Sequence, residues 1–207
     1  MSADVVVARI QRAYPNASYA LVWRTPWELL VGTILAAQST DATVNRVTAE
    51  LFVRYPTVRD VATARQDELE PAIRSCGLHQ AKARALIGAA TVIVERFAGE
   101  VPRTMAEMLE LPGVKRKTAN VVLNCAYGIA SGIIVDTHVE RLARRIGLAT
   151  SATPEAIERE LMQVVPEAEW TTFGPALILH GRAVCTAKNP RCAGCALDDV
   201  CRKVGVP

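Results

Sequence analysis

The stretch Leu111-Pro112-Gly113-Val114-Lys115-Arg116-Lys117-Thr118-Ala119-Asn120 lies between two helical patterns. Pro112 and Gly113 end the first pattern, because proline lacks an N–H and glycine adopts backbone angles that other residues avoid. The second helix is predicted over about 116–127. Apolar residues recur at helical spacing along it and are expected to face a core: Ala119, Val122, Leu123 and Ala126. Four residues fall on the opposite side: Lys117, Asn120, Val121 and Asn124.

The turn before this second helix is a candidate anion site. A tight hairpin that leads into a helix N-terminus presents backbone N–H groups to an anion, and a nucleic-acid phosphate is the obvious candidate. The same geometry places Lys117 in the first turn, at the positive end of the helix dipole and beside Lys115 and Arg116. This setting disfavours the protonated amine, and a lysine that loses its proton can act as a nucleophile.

Composition indicates a folded intracellular protein. The chain has 207 residues, half of them hydrophobic, with 24 basic and 21 acidic side chains and a net charge of +3. This balance is too mild to establish nucleic-acid binding, although a local patch could still provide it. No apolar run approaches the roughly 20 residues that span a bilayer, and no secretory signal is recognisable. Six cysteines in a reducing compartment favour a metal or cluster over disulfides.

The hydrophobic periodicity predicts an all-α fold, without strand-like alternation or internal repeats. At one helix start, Thr25 caps, Pro26 occupies the first turn and Glu28 completes a capping box. The almost wholly apolar helix that follows, to Ala37, is expected to be central. Further helices are predicted over about 3–13, from residue 41 onward, and up to Cys76, the last with Pro71 in its first turn. Gly77, Leu78 and His79 form a break before a long helix that Gly99 closes. The remaining helices are predicted over 105–110, from about 136 to Ile146, from Thr153 and from Pro175 to Ala183. The helix that ends at Ile146 is expected to expose a basic side: Arg141, Arg144 and Arg145.

Four cysteines near the end of the chain form a candidate metal centre. Their spacing is C-x6-C-x2-C-x5-C: Cys185, Cys192, Cys195 and Cys201. Four thiolates within 17 residues suit either an iron–sulfur cluster or zinc, and the spacing matches none of the zinc-finger spacings. Cys76 and Cys125 lack such partners and are predicted to be packing residues. His180, on an apolar helix, is predicted to be a structural core histidine.

At the opening stretch the chain resembles the endonuclease III family of helix-hairpin-helix DNA glycosylases. That family carries LPGVGRKTANVVLN, and this chain reads LPGVKRKTANVVLN, with Lys115 in place of a hairpin glycine. The resemblance extends to AAQSTD around Gln38, to VDTH at Asp136 and to the cysteine spacing, in family order. It implies two helical lobes with a cleft between them: a helical barrel with the hairpin over 22–130, and an iron–sulfur cluster domain formed by 1–21 and 131–207.

The resemblance implies a bifunctional DNA glycosylase and AP lyase that removes oxidised pyrimidines from duplex DNA and cleaves 3′ to the abasic site by β-elimination. Lys117 falls on the family's catalytic lysine, and Asp136 on its essential carboxylate. By itself Lys117 would be a solvated surface charge, and Asp136 the N-cap of the following helix. The two readings of Asp136 are compatible. The four cysteines would hold a [4Fe-4S] cluster.

The resemblance also implies a set of DNA contacts. Gln38 matches the gap-filling residue, and Leu78 with His79 matches the wedge against the opposite strand. Without the resemblance, Gln38 would be a helix terminus and Leu78 a buried loop anchor. The remaining candidate contacts are basic or lie in the hairpin: Gly113, Lys115, His138, Lys188 and Arg191. Lys188 and Arg191 are proposed from their basic character in the cysteine loop, where they could either be solvated or contact a phosphate. His138 could equally be a packing residue, and Lys115 could either strain the hairpin or add a phosphate contact.

Several expectations follow for partners and alternatives. The partner would be double-stranded DNA with a damaged base or an abasic site, bound by a monomer in the bacterial cytoplasm at the nucleoid. One alternative is an adenine-removing glycosylase of the same superfamily, which lacks the hairpin lysine. Another is a non-catalytic module that senses DNA damage. Lys117 argues against both, because neither needs an amine nucleophile.

Overall fold

The computed structural model describes residues 2–206, and all regular secondary structure in that range is helical. This confirms the predicted all-α class. Eleven α-helices are described: α1 Ala3–Ala13, α2 Pro26–Leu35, α3 Asp41–Arg54, α4 Val58–Ala62, α5 Gln66–Ile73, α6 His79–Arg96, α7 Met105–Leu109, α8 Arg116–Tyr127, α9 Thr137–Ile146, α10 Pro154–Val164 and α11 Trp170–Ala183. Short 3-10 turns lie at Arg74–Cys76 and Glu167–Glu169. No described helix is both long and apolar enough to traverse a bilayer.

The chain divides into two compact units. One unit is Ala20–Tyr127, which contains α2 to α8. The other combines the described residues of Met1–Tyr19 and Gly128–Pro207, so that α1 joins α9, α10 and α11. The second unit has its own apolar core, in which Val6, Ile10 and Phe173 are fully buried.

Helix α2 is the buried centre of the first unit, as its apolar sequence predicts. Every residue from Trp27 to Leu35 is buried. The side chain of Thr25 caps it by accepting a hydrogen bond from the backbone N–H of Glu28 at 3.2 Å. The predicted capping box is incomplete, because the Glu28 carboxylate accepts instead from the backbone N–H of Arg24 at 2.7 Å and pairs with its guanidinium at 2.9 Å. In a complete capping box the Glu28 carboxylate would accept from the N–H of Thr25; here it accepts from the N–H of Arg24, one residue earlier.

Two prolines lie inside helices rather than at the predicted first turns. Pro71 is the sixth residue of α5, and α11 begins at Trp170, five residues before Pro175. A proline in a helix removes one backbone bond. In α11, Phe173 and Leu177 on either side of Pro175 are fully buried. Periodicity also missed α4, a five-residue helix that a complete capping box between Thr57 and Asp60 initiates.

Helix α8 is buried on both sides rather than on one. Ala119, Val122 and Leu123 face the core as predicted. On the opposite side, however, Asn120 is 1% exposed, and Val121 and Asn124 are buried as well. The helix packs against both α2 and α7, so only its N-terminal turn and its C-terminal end approach the surface.

Candidate functional site

The hairpin between α7 and α8 needs glycine at one position for two reasons. Gly113 has φ +77°, in the left-handed region. A Cβ at this position would also lie 2.6 Å from the Cβ of Ala85 on α6. The turn is closed by the N–H of Val114, which donates to the carbonyl of Leu111 at 3.0 Å. Helix α6 therefore supports the hairpin directly and holds it in one conformation.

The hairpin presents backbone donors to the surface. Gly113 and Lys115 are exposed, and their backbone N–H groups have no partner within residues 2–206. The carbonyl of Lys115 accepts from the N–H of Ala119 at 2.9 Å and so opens α8. Lys115 is not among the described residues with positive φ, which excludes the strain that a lysine in place of glycine could have caused. The Lys115 side chain is exposed to solvent.

Lys117 is the second residue of α8, immediately after this turn. It is half-buried, between the exposed Lys115 and the buried Thr118. The unsatisfied N–H groups at the start of a helix carry partial positive charge. An anion bound at the hairpin would therefore lie close to the Lys117 side chain.

Asp136 is the N-cap of α9, as the sequence predicts. Its Oδ1 accepts hydrogen bonds from the N–H groups of His138 at 2.8 Å and Val139 at 2.9 Å. Its Oδ2 takes part in neither bond. The preceding residues Ile134 and Val135 are buried, and a Cβ at Gly174 would lie 2.9 Å from the Ile134 carbonyl oxygen. Helix α11 therefore packs closely against the Ile134–Val135 segment, which precedes Asp136.

The two loops predicted to enter DNA are exposed and have unusual backbone conformations. Gln38 has φ +57°, and Leu78 has φ +48° and ψ +29°. Leu78 is 55% exposed, so the reading of this residue as a buried loop anchor is wrong. His79 begins α6 and is half-buried; with Leu78 and Arg84 it lines a shallow surface depression.

The four clustered cysteines surround one cavity. Cys185, Cys192, Cys195 and Cys201 line it together with His180. Backbone N–H groups donate to two of the sulfurs, Leu197 to Cys195 and Lys203 to Cys201, each at 3.4 Å. Burial raises the pKa of Cys195 and of Cys201, and the neighbouring thiols add to the rise. Within residues 2–206 no group of three or more His, Cys, Asp or Glu side chains has the geometry of a site for a metal ion.

Two arginines predicted to be solvated instead hold the cysteine loop. Arg145 is only 7% exposed and donates to the carbonyls of Thr186 and Ala187, each at 2.7 Å. Its guanidinium also lies 3.5 Å from the Sγ of Cys185. Arg141 donates to the carbonyl of Cys185 at 2.9 Å. The prediction of an exposed basic face is therefore wrong for both residues, because the loop folds back over α9. The sequence gives no signal for this contact with the cysteine loop, because the acceptors are backbone carbonyls about 40 residues away in the chain.

His180 is a buried core histidine, as predicted, but it also adjoins the cysteines. Its Nδ1 lies 3.1 Å from the hydroxyl of Tyr14, and its Nε2 lies 3.5 Å from the Sγ of Cys195. Burial lowers the pKa of His180. Tyr14 follows α1, so the N-terminal helix is connected to the cysteine loop through this histidine.

The remaining candidate contacts are surface or near-surface groups. Lys188 and Arg191 are exposed, and the Arg191 guanidinium donates to the carbonyl of Ala183. His138 is half-buried with its Nδ1 3.2 Å from Nη2 of Arg141. Cys76 and Cys125 are free thiols. Cys76 is buried, and burial raises the pKa of Cys125 to about 11. Cys76 therefore matches the predicted role of a buried packing residue, whereas Cys125 is only half-buried.

Comparison with known proteins gives a consistent result. Residues 31–167 match the model of the HhH-GPD superfamily of base excision DNA repair proteins. The chain is 48% identical to endonuclease III of Synechocystis sp., over 96% of this chain and 91% of that protein. It is 37% identical to endonuclease III of Escherichia coli K12, over 95% and 92% of the two chains. A solved structure of a trapped covalent intermediate between endonuclease III and DNA superposes with a TM-score of 0.92, at 39% identity, covering 98% of this chain and 97% of that one. With its hairpin, its capped aspartate and its four-cysteine loop, the chain belongs to the endonuclease III family within the HhH-GPD superfamily of base excision DNA repair proteins.

Proposed function

We propose that this chain is a bifunctional DNA glycosylase and AP lyase of base excision repair. It removes oxidised pyrimidines from duplex DNA and cleaves the strand 3′ to the resulting abasic site by β-elimination. The observation that carries the proposal is the placement of Lys117 in the first turn of α8, directly after a hairpin with free backbone N–H groups. A structural relative at 39% identity is a trapped covalent intermediate between endonuclease III and DNA, which supports a covalent mechanism in this fold.

Lys117 performs the covalent chemistry. The neutral Nζ attacks C1′ of the damaged nucleotide, a C–N bond forms, and the glycosidic bond breaks with its electron pair leaving on the base. The amine proton passes to the departing base. The sugar ring then opens as the C1′–O4′ bond breaks and O4′ takes up a proton, which leaves a protonated Schiff base between Nζ and C1′. The imine acidifies the proton at C2′; its removal expels the 3′ phosphate and breaks the strand. An alcohol or carboxylate could not form this imine, so the lyase step requires the amine.

Asp136 stabilises the positive charge that develops on the sugar as the base departs. The two N–H bonds from His138 and Val139 fix Oδ1. Such fixed bonds hold the carboxylate in one orientation without reorganisation during the reaction. The second oxygen takes part in neither bond and can face the sugar or orient a water molecule.

The four cysteines hold a [4Fe-4S] cluster in this proposal. Thiolate-only ligation by four cysteines is the usual donor set for such a cluster, and N–H donors to the sulfurs and a nearby guanidinium stabilise the thiolate charge. Cys195 and Cys201 receive such N–H bonds, and Arg145 lies against Cys185. When bound, the cluster cross-links a segment that has little apolar core of its own. Zinc in its place is an outcome that metal analysis would reveal.

Double-stranded DNA with a damaged base or an abasic site is the proposed partner. The N–H groups of Gly113 and Lys115 receive a backbone phosphate, Gln38 fills the gap left by the extruded nucleotide, and Leu78 with His79 wedges the opposite strand. Additional phosphate contacts come from His138, Lys188 and Arg191. In this scheme the unit Ala20–Tyr127 is the helical barrel and the other unit is the cluster domain. The enzyme acts as a monomer in the bacterial cytoplasm, at the nucleoid.

Borohydride trapping on abasic-site DNA tests the proposal. The wild-type protein is expected to form a covalent adduct, and Lys117→Ala is expected to abolish it. Lys115→Ala is the matched control, because it removes a neighbouring amine of the same hairpin and should still trap. Efficient trapping by Lys117→Ala would show that the nucleophile lies elsewhere.

A further inference from the structure

Two exposed residues of the first unit are held in a backbone conformation that non-glycine residues rarely adopt. Only four non-glycine residues in the described chain have positive φ, and Gln38 and Leu78 are two of them. Such conformations are energetically unfavourable and persist only where the surrounding structure enforces them. Because both side chains point outward, their own packing does not supply that enforcement.

One buried amine connects the two turns. Lys82, on the first turns of α6, is 5% exposed. Its Nζ donates to the carbonyls of Leu35 at 2.9 Å, Ala37 at 2.6 Å and Cys76 at 2.6 Å. A lysine ammonium has three donors, so all of its N–H bonds are used within the protein. Burial lowers the pKa of Lys82, while the nearby Cys76 acts in the opposite direction.

The three carbonyls lie one to three residues upstream of Gln38 or Leu78. Ala37 immediately precedes Gln38, and Cys76 comes two residues before Leu78. The hydroxyl of Ser39 adds a direct link between the turns, because it donates to the same Cys76 carbonyl at 2.5 Å. The peptide groups on which the direction of Gln38 and Leu78 depends are therefore joined through one ammonium and one hydroxyl.

We propose that Lys82 is a positioning residue that holds Gln38 and Leu78 together in the geometry needed to enter the DNA duplex. The proposal rests on the proposed function, in which Gln38 fills the gap and Leu78 wedges the opposite strand. Residues that must replace a base pair act best when their backbone is organised before DNA arrives. Lys82 provides that organisation without touching the DNA.

Hydrogen exchange in the absence of DNA tests the structural half of the proposal. The N–H of Ser39 is bonded to the Ala36 carbonyl and that of Gly77 to the Arg74 carbonyl, each at 3.1 Å, so both turns carry a protected amide. In Lys82→Met both amides are expected to exchange about tenfold faster or more, whereas amides in the middle of α3 are unchanged. Exchange that rises in only one turn, or in neither, would overturn the link between them.

Single-turnover cleavage tests the functional half. Lys82→Met is expected to slow reaction on an oxidised pyrimidine in duplex DNA by about tenfold or more, because the gap-filling and wedging residues are no longer held. An abasic site in single-stranded DNA has no paired base to extrude and no opposite strand. Its cleavage rate should therefore remain within about twofold of wild type.

A double-mutant cycle on the cleavage rates distinguishes the positioning of Gln38 and Leu78 from a general loss of protein stability. In a background of Gln38→Ala with Leu78→Ala, adding Lys82→Met should produce no further loss on the duplex substrate, because residues that act as one unit are not additive. Ile93→Ala, a core truncation on the same helix, is the matched control and should slow both substrates equally. The positioning role would be refuted if the rate losses were additive, or if Lys82→Met slowed cleavage of both substrates equally.

Ser39→Ala provides the same tests if Lys82→Met does not fold. It removes only the hydroxyl link between the turns and is expected to show the same substrate selectivity with a smaller loss. A Ser39→Ala protein that matches wild type in both exchange and duplex cleavage would count against the proposal. Failure of the proposed function has a different signature, since wild-type protein would then trap no abasic DNA while the exchange result could still be obtained.

Discussion

The cap geometry of Asp136 makes its structural and chemical roles separable. Oδ1 accepts both N–H bonds at the start of α9, from His138 at 2.8 Å and Val139 at 2.9 Å. Asparagine also has a side-chain oxygen and caps helices about as well as aspartate, whereas alanine has no acceptor. Asp136→Asn therefore preserves the cap and removes the charge, and Asp136→Ala removes both.

The expected losses of stability in the two variants follow from the two N–H bonds to Oδ1 and from the charge of the carboxylate. Loss of the cap in Asp136→Ala costs about 0.5–2 kcal/mol, which lowers the melting temperature by about 1–8 °C in a chain of this size. Asp136→Asn loses only the interaction of the charge with the helix dipole, about 0.3–1 kcal/mol at a partly exposed site. Its melting temperature should therefore fall by no more than about 1–4 °C.

Activity should depend on the charge rather than on the cap. Both variants are expected to lose about 10²–10³-fold in the glycosylase rate, the usual effect of removing one fixed electrostatic stabiliser. The measurements are thermal melting by circular dichroism and single-turnover base release from duplex DNA that carries an oxidised pyrimidine. If Asp136→Asn releases the base within about tenfold of wild type, the carboxylate is only a cap and the catalytic assignment is refuted.

Three further outcomes are expected. Lys115→Gly should reduce the slope of log Kd against log salt by about 0.9, the share of one phosphate, in fluorescence titrations with duplex DNA; an unchanged slope would mean that Lys115 contacts no phosphate. Arg145→Met leaves two loop carbonyls unpaired and should release the metal to a chelator about tenfold faster than wild type, with Arg145→Lys intermediate. Metal release is followed by absorbance. Equal release rates in the three proteins would show that the loop does not depend on Arg145. Because burial raises the pKa of Cys125 from 9.0 to about 11, its thiolate is scarce at pH 8. Alkylation in the native state should therefore be about 100-fold slower than after unfolding and should rise tenfold per pH unit toward pH 11; fast native alkylation at pH 8 would contradict the burial.

Local signals predicted much of the helical framework correctly. Residues 3–13 form α1 as expected, and Thr153 caps α10 by accepting from the N–H of Ala156. Asp136 caps α9 for the same reason: a short polar side chain before an apolar periodic run satisfies orphan N–H groups. These features depend on contacts within three or four residues, which a sequence displays directly.

The errors have a different origin. The periodicity of α8 and α9 correctly identifies which residues share a helix face, but it does not say what packs against each face. Asn120 is buried although it lies opposite the predicted core face of α8, and Arg145 is buried because the cysteine loop folds over α9. For Leu78 only the alternative drawn from its apolar character alone, a buried loop anchor, is wrong, because the residue is 55% exposed and has a left-handed backbone.

The sequence by itself determined the helical class, the hairpin, the caps and the family, because each depends on residues adjacent along the chain. Only the tertiary structure decided that Lys82 joins the turns at Gln38 and Leu78 and that Arg141 and Arg145 hold the cysteine loop. Apart from the bond between Lys82 and Cys76, which spans 6 residues, these contacts span 42 to 45 residues, and their acceptors are backbone carbonyls that every residue possesses. Carbonyls carry no sequence signal, so only the folded chain shows which of them a buried cation will satisfy.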